Sequence, residues 1–295
     1  LHKEYRRQRQ MCIRDSACID ASHYAAAVCD LSAWAAHRLS WRVELLHVVQ
    51  RKSAVTARHD LSGAIGLGVK SELLEELTRI EEAQGKLAIE GGRALLATAE
   101  ERLRAAGIGD VSTVHLHGGI VETIIEREAE ASLVVMGKRG ASSEFAAGHL
   151  GSKIERVLRA SNKPLLVAPE RHVPPMRAVI AYDGGKSIAR AIALLTSTPM
   201  LDGLPIHLVR AGAESQEHQA QMEQVVQLFA QSGRTATFSI TPGAPEKVIA
   251  DCVAGGPMSV LVMGAYGHSP LRNLIVGSTT TAMIRAVEVP ILLAR

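Results

Sequence analysis

The stretch SVLVMGAYG, residues 259–267, repeats SLVVMGKRG, residues 132–140, and this repetition decides how the whole chain is read. Gly137 and Gly140 map onto Gly264 and Gly267 at an offset of 127. Working outward, RASNKPLLVAP (159–169) returns as RAVEVPILLA (285–294). Gly151, Arg159, Pro164 and Ala168 answer Gly277, Arg285, Pro290 and Ala294 at an offset of 126. One extra residue therefore sits in the first copy's loop. Upstream, ACID (17–20) answers IAYD (180–183) at an offset of 163, whereas Gly118 answers Gly243 at 125. The first copy must hold about 38 additional residues between its first and third strands. Fixed-offset self-similarity of this kind is the signature of duplication.

Each copy alternates short β-branched runs with helical patterns, the signal for βαβ units and a parallel sheet. Strands are expected near 17–20, 43–49, 111–117, 132–137 and 164–168 in the first copy. In the second they are expected near 177–183, 205–210, 236–241, 259–264 and 290–294. LVVM and VLVM are apolar throughout rather than alternating, as befits strands covered by helices on both faces. Leu73, Leu77, Ile80, Leu87, Leu95, Ala99 and Leu103 recur at helical spacing, although Gly85, Gly91 and Gly92 weaken that helix locally. Pro174 and Pro175 prevent helix in a linker at 170–175. The expected organisation is a first domain at 17–169 with a helical insertion over about 52–90, the linker, and a second domain at 176–295.

With 295 residues, 47% of them hydrophobic and 21% charged, the chain is long enough for two buried cores and is not disordered in composition. Aromatics are 3%, too few for base-stacking platforms, so nucleic acid is not an expected partner. The net charge of +3 resides in residues 1–16, where Lys3, Arg6, Arg7, Arg9 and Arg14 face Glu4 and Asp15. The remainder balances at 28 basic and 28 acidic residues. Within that tail, MCIRDS (11–16) reads as a translated transposase-end sequence, so residues 1–16 are expected to be non-native and are set aside. The four cysteines, Cys12, Cys18, Cys29 and Cys252, form no CxxC pair, which fits a reducing compartment. No apolar run reaches membrane-spanning length and no signal-peptide pattern is seen, so a cytoplasmic location is expected.

Strand 259–264 runs into Gly264 and Gly267, then nine residues, then Gly277-Ser278-Thr279-Thr280-Thr281 at the start of a helix. Strand-end glycines let backbone N–H groups approach a ligand, and a helix start offers unpaired donors and a favourable dipole for anions. Asp183 ends the first strand at the switch point of the sheet, where open α/β sheets bind ligands, and its carboxylate suits ribose hydroxyls. A plainer reading also fits: Gly264 and Gly267 form a tight turn, Ser278 caps a helix, and Asp183 caps another.

The spacing of Gly264, Gly267, Gly277 and Ser278 resembles the universal stress protein family, whose nucleotide-binding members show Gly, two residues, Gly, nine residues, then Gly followed by Ser or Thr. The second copy matches without a gap. The first, with Gly137, Gly140, Gly151 and Ser152, has a ten-residue spacer. The resemblance covers everything after the tail and includes the aspartates of ACIDAS and IAYDGG. It implies two tandem doubly wound α/β domains, each a five-stranded parallel sheet of order 3-2-1-4-5 with helices on both faces, paired through their last strands as an intrachain pseudo-dimer. A homodimer and an unidentified protein partner are further expectations.

The ligand implied by the resemblance is ATP or a related adenine nucleotide, with Mg as the accompanying ion. Asp183 would contact the ribose or adjacent phosphate, and Met263 would border the sugar. Gly264 and Gly267 would shape the cradle, and Gly277, Ser278, Thr279 and Thr280 would hold phosphates. The adenine side would fall near Val209 and Arg210, an arginine where the family usually has a small apolar residue. Weaker binding is expected in the first copy through Asp20, Val48, Met136, Gly137, Gly140, Gly151 and Ser152, where Lys138 and Arg139 could meet a phosphate. The implied role is a stress-response switch or partner-binding protein. A slow nucleotide hydrolase, a nucleotidyl transferase and an interaction module with vestigial sites remain open.

Other signals are set aside. Gly184-Gly185-Lys186-Ser187 imitates a P-loop, but Ile180 stands where its first glycine is required, and in 66–71 the glycine and lysine are not adjacent. His115 and His117 share one face of a strand but have no Cys, Asp or Glu at ligand spacing, so no metal is expected. Cys29 is expected to be a small core residue. No GxSxG elbow or carboxylate pair nominates a catalytic group.

Overall fold

The computed structural model describes residues 14–50, 67–140, 152–265 and 277–295; the side chains of residues 67–74 and of Ser152 lie outside the description. In the first half the chain forms β1 (Arg14–Cys18), α1 (Ala25–Leu39), β2 (Arg42–Val49), α2 (Leu67–Ala105), β3 (Val111–His117), α3 (Ile120–Arg127), β4 (Leu133–Gly137), α4 (Ser152–Ala160) and β5 (Leu165–Ala168). In the second it forms β6 (Arg177–Ala181), α5 (Lys186–Ser197), β7 (Ile206–Ala211), α6 (Gln216–Gln231), β8 (Ala236–Thr241), α7 (Pro245–Ala254), β9 (Ser259–Gly264), α8 (Ser278–Ala286) and β10 (Ile291–Ala294).

All ten strands join one sheet of order β3-β2-β1-β4-β5-β10-β9-β6-β7-β8. Each half thus has the expected order 3-2-1-4-5 with parallel neighbours. The halves meet where β5 and β10 run antiparallel, with Ile291 opposite Val167, Leu292 opposite Leu166 and Leu293 opposite Leu165. Alternate residues of these central strands serve opposite faces. Leu166 and Leu292 join the core beneath α1, α2, α5 and α6, whereas Leu165, Val167, Ile291 and Leu293 join the core beneath α3, α4, α7 and α8. Both cores therefore cross from one half to the other, and strands buried on both faces need the uninterrupted apolar runs seen in the sequence.

Local signals set the element ends. Pro245 opens α7, where a missing N–H costs nothing, and the Ser215 hydroxyl caps α6 by accepting the His218 N–H at 3.1 Å. Gly118 and Gly243, matched by the repeat, follow β3 and β8 with φ of 155° and 145°, a region that favours glycine. Two expectations shift. The helix carrying Gly85, Gly91 and Gly92 runs unbroken from Leu67 to Ala105, because burial of Leu96, Ala99 and Leu103 outweighs a propensity cost of about 1 kcal/mol per glycine. The first strand starts at Arg14 rather than near residue 17, so Arg14, Asp15 and Ser16 of the tail complete β1. Backbone pairing explains this: Asp15 lies opposite both Val43 and Leu133, and ladder bonds do not depend on the side chain. No helix among the described residues is long and apolar enough to cross a membrane.

Candidate functional site

β1 ends beside β4, and crossovers leave these two strands in opposite directions, which opens a crevice at their C-terminal ends. Here the first domain has a cleft of about 430 Å³, its solvent-open part included, which Asp20, Met136, Gly137 and Gly140 line together with Ile120, Lys153 and others. Asp20 Oδ1 accepts the Ser22 N–H at 3.1 Å, which turns the chain toward α1. A Cβ on Gly140 would stand 2.6 Å from Asp20 Oδ2 and 3.7 Å from Lys153 Nζ, so the bare glycine backbone is what lets loop, carboxylate and ammonium meet. A Cβ on Gly137 would stand 2.5 Å from Tyr24 Cβ. The cleft wall at Cys18 is inert, since burial pushes that thiol up to about 12.

Arg139 and Lys153 give the cleft positive charge, but Lys138 does not contribute its own. The Lys138 ammonium is buried, donates to the Val287 carbonyl and lies 3.5 Å from Glu288 Oε1, across the boundary between the two halves. Burial pushes its pKa down, with Glu288 opposing. The expectation that Lys138 is available to a phosphate therefore gives way to an interdomain role. Val48 is buried in β2 and does not line the cleft, and Gly151 and the Ser152 side chain lie outside the described residues.

The second domain repeats the turn. Asp183 Oδ1 accepts the Gly185 N–H at 2.8 Å, and Gly184 has φ of 76°, so the carboxylate holds the turn that leads into α5; Gly185 is the N-cap and no side chain caps that helix, so Asp183 is not the helix cap of the plainer reading. Gly264 abuts that entry: a Cβ there would stand 3.0 Å from Ser187 Cβ and 3.3 Å from the Ile188 nitrogen. Gly277 is the extended N-cap of α8, and no side chain caps this helix. The buried Thr280 hydroxyl donates to the Gly264 carbonyl at 3.1 Å and the Gly277 N–H reaches the Ala265 carbonyl at 3.4 Å, which ties the start of α8 to the end of β9. Thr280 thus spends its hydroxyl on the scaffold, whereas Ser278 is exposed and Thr279 half-buried. Val209 and Met263 are buried strand residues, and Gly267 lies outside the described residues.

Arg210, placed on the adenine side by the sequence, is held by two neighbours the sequence did not single out: its Nη1 donates to Gln221 Oε1 at 3.0 Å, and its guanidinium lies 5.7 Å from the centre of the Tyr182 ring. In the first domain, Tyr24, Lys153, Ile120 and Ile124 belong to the cleft or its margin. The i,i+4 spacing of the two isoleucines at the start of α3 was the available signal. Among the described residues no group of three His, Cys, Asp or Glu side chains is placed to hold a metal.

The arrangement defines a tandem, doubly wound α/β protein with a cleft at the strand ends of its first domain. Residues 17–169 and 181–295 match the Universal stress protein family, and the chain belongs to that family. It is 32% identical over 281 residues to Universal stress protein Slr1230 of Synechocystis sp., covering 94% of this chain and 98% of that protein. Among solved structures, a universal stress protein from Archaeoglobus fulgidus DSM 4304 superposes with a TM-score of 0.65 at 22% identity, covering 96% of this chain and 98% of the other. A putative universal stress protein from Pseudomonas aeruginosa UCBPP-PA14 superposes with a TM-score of 0.60 at 16% identity, covering 95% and 92%. These two likenesses concern the fold.

Proposed function

We propose that the protein binds ATP or a related adenine nucleotide at the strand ends, chiefly in the second domain, and works as a stress-response switch or partner-binding protein rather than a fast enzyme. The observation that carries this reading is the start of α8. Its first turn has no side-chain cap and is fastened to Gly264, beside β6, with Asp183 two residues past that strand's end. Uncapped N–H groups and the helix dipole suit phosphates, with Gly277, Ser278 and Thr279 as their holders. Asp183 faces the ribose in this reading; Val209 and Met263 form the apolar wall, and Gly264 keeps the cradle narrow beside Ser187. Mg would enter on the nucleotide's own phosphates.

The first domain is the weaker site, with Asp20, Met136, Gly137 and Gly140 in the cleft. Free cysteines at Cys18, Cys29 and Cys252 agree with a reducing, cytoplasmic setting. Mass spectrometry of small molecules released from purified, heat-denatured protein tests the proposal, together with calorimetric titration with ATP. Expected is one adenine nucleotide bound with single turnover at most. The absence of adenine nucleotide in the first experiment and of heat at millimolar ATP in the second, a limit of about −4 kcal/mol, would end it.

A further inference from the structure

On the face of the sheet covered by α2, three imidazoles lie in a row. His47 of β2 is directly opposite His115 of β3 with ring centres 5.3 Å apart, and His117 follows two residues on, its ring inclined 23° to that of His115 at 6.0 Å. The helix above is cut to fit them. A Cβ on Gly92 would stand 2.5 Å from His115 Nε2 and 2.8 Å from His47 Cδ2, whereas Gly85 and Gly91 have open space around them. His47 Nδ1 is engaged by the Ile19 carbonyl at 2.9 Å, but His115 Nε2 is buried with no hydrogen-bond partner.

Next to this row, α2 and β3 enclose a solvent-open groove of about 870 Å³ lined by Arg93, Glu100, Thr113, His115 and His117 with apolar residues of α2. It shares no lining residue with the strand-end cleft. Its charges are unbalanced. Glu100 is taken by Arg104, whose Nε and Nη2 donate to Oε1 at 3.1 and 2.6 Å, and Arg102 is neutralised by Asp30 of α1. Among the described residues Arg93 has no ion-pair partner, and burial first, then the proximity of His47, His117 and Arg93, disfavours charge on His115. A guanidinium, two imidazoles and the exposed Thr113 hydroxyl thus line a roomy groove in which Glu100 is drawn to Arg104 through Oε1. Such a group lacks only an acceptor with several oxygens.

We propose that the groove between α2 and β3 binds a small oxyanion of the phosphate class, held by Arg93, Thr113, His115 and His117. Burial and the neighbouring cations push the His115 pKa below its ordinary value, so the ring enters neutral conditions uncharged. A bound dianion favours the charged imidazole, so binding takes up a proton and tightens as pH falls. Among the described residues Glu100 is the only carboxylate lining the groove, and its bond to Arg104 leaves this sign unchanged.

The test is titration of the intact chain with sulfate, a dianion throughout, followed through the histidine Cε1–H resonances at about pH 6 and about pH 8. Saturable shifts of His115 and His117, at least about fivefold tighter at the lower pH, are expected. Arg93→Gln and His117→Gln should each weaken sulfate at least about tenfold while thermal stability and ATP binding stay as in the parent. Inorganic phosphate and glycerol phosphate then identify the source: equal affinities mean a free ion, tighter binding of the ester means a phosphorylated metabolite. Shifts that do not saturate, or an Arg93→Gln protein that binds sulfate as the parent does, would overturn the assignment.

Discussion

The two domains share a backbone and differ in what they place on it. Asp20 and Asp183 accept the amide two residues ahead in the same way, and Gly137 and Gly264 end equivalent strands against equivalent helix entries. At those entries the first domain has Tyr24 where the second has Ser187, and just beyond β4 it has Lys138 where the second has Ala265. In the first strand it has Arg14-Asp15-Ser16 where the second has Arg177-Ala178-Val179. Duplication fixed the positions at which no side chain fits or a turn must be capped. Positions that only line the crevice or fill the strand were free to diverge.

The largest expected break in this comparison is at Asp15. It is fully buried in β1, both carboxylate oxygens lack a hydrogen-bond partner, and burial holds its pKa well above the carboxylate range. Giving the first strand the apolar character of the second by Asp15→Val should stabilise the protein by about 2 kcal/mol in denaturant unfolding at neutral pH. The sign with pH is fixed. An acid whose folded pKa is raised disfavours folding once pH exceeds its unfolded value, so the parent should lose stability as pH rises from about 4. The variant should lack that slope. An Asp15→Val protein less stable than the parent would show that this carboxyl has a partner.

Next in size, Gly277→Val, which crowds the entrance of α8, should weaken ATP in the second domain about tenfold, or about 1.4 kcal/mol, with little change in melting temperature. Calorimetry of the variant checks this, and unchanged affinity would remove α8 from the site. The smallest effect expected is that of Tyr24→Ser, which copies the second domain's Ser187 into the first. It should raise nucleotide affinity there about threefold, or about 0.7 kcal/mol, read as a second binding event in the titration. Equal occupancy of both domains in the parent would dissolve the contrast altogether.

Much of the fold was legible because the repeat supplied every strand twice. β3, β8 and β9 fall at the expected residues, and most other ends differ by one. The first strand was misplaced because Asp15 and Ser16 do not look like strand core; only partners on both sides, β2 and β4, hold them there. Within the candidate site, the aspartates and glycines were legible since their spacing is local and duplicated. Lys138 was not, because its direction is set by Val287, 149 residues away, once the halves have docked. Tyr24 and Lys153 likewise enter only through the way α1 and α4 sit on the sheet.

The antiparallel contact of β5 with β10 has one more consequence. Two separate copies of such a domain would have to find each other at a cost set by their concentration, whereas here the tether makes the encounter intramolecular. The surface is spent within one chain, and Leu165, Leu166 and Val167 present no edge to an outside strand. Among the described residues, the strand edges left open to another chain are those of β3 and β8. The strand ends of the two halves also point opposite ways, so ligands seated in both would be held back to back, out of reach of one another.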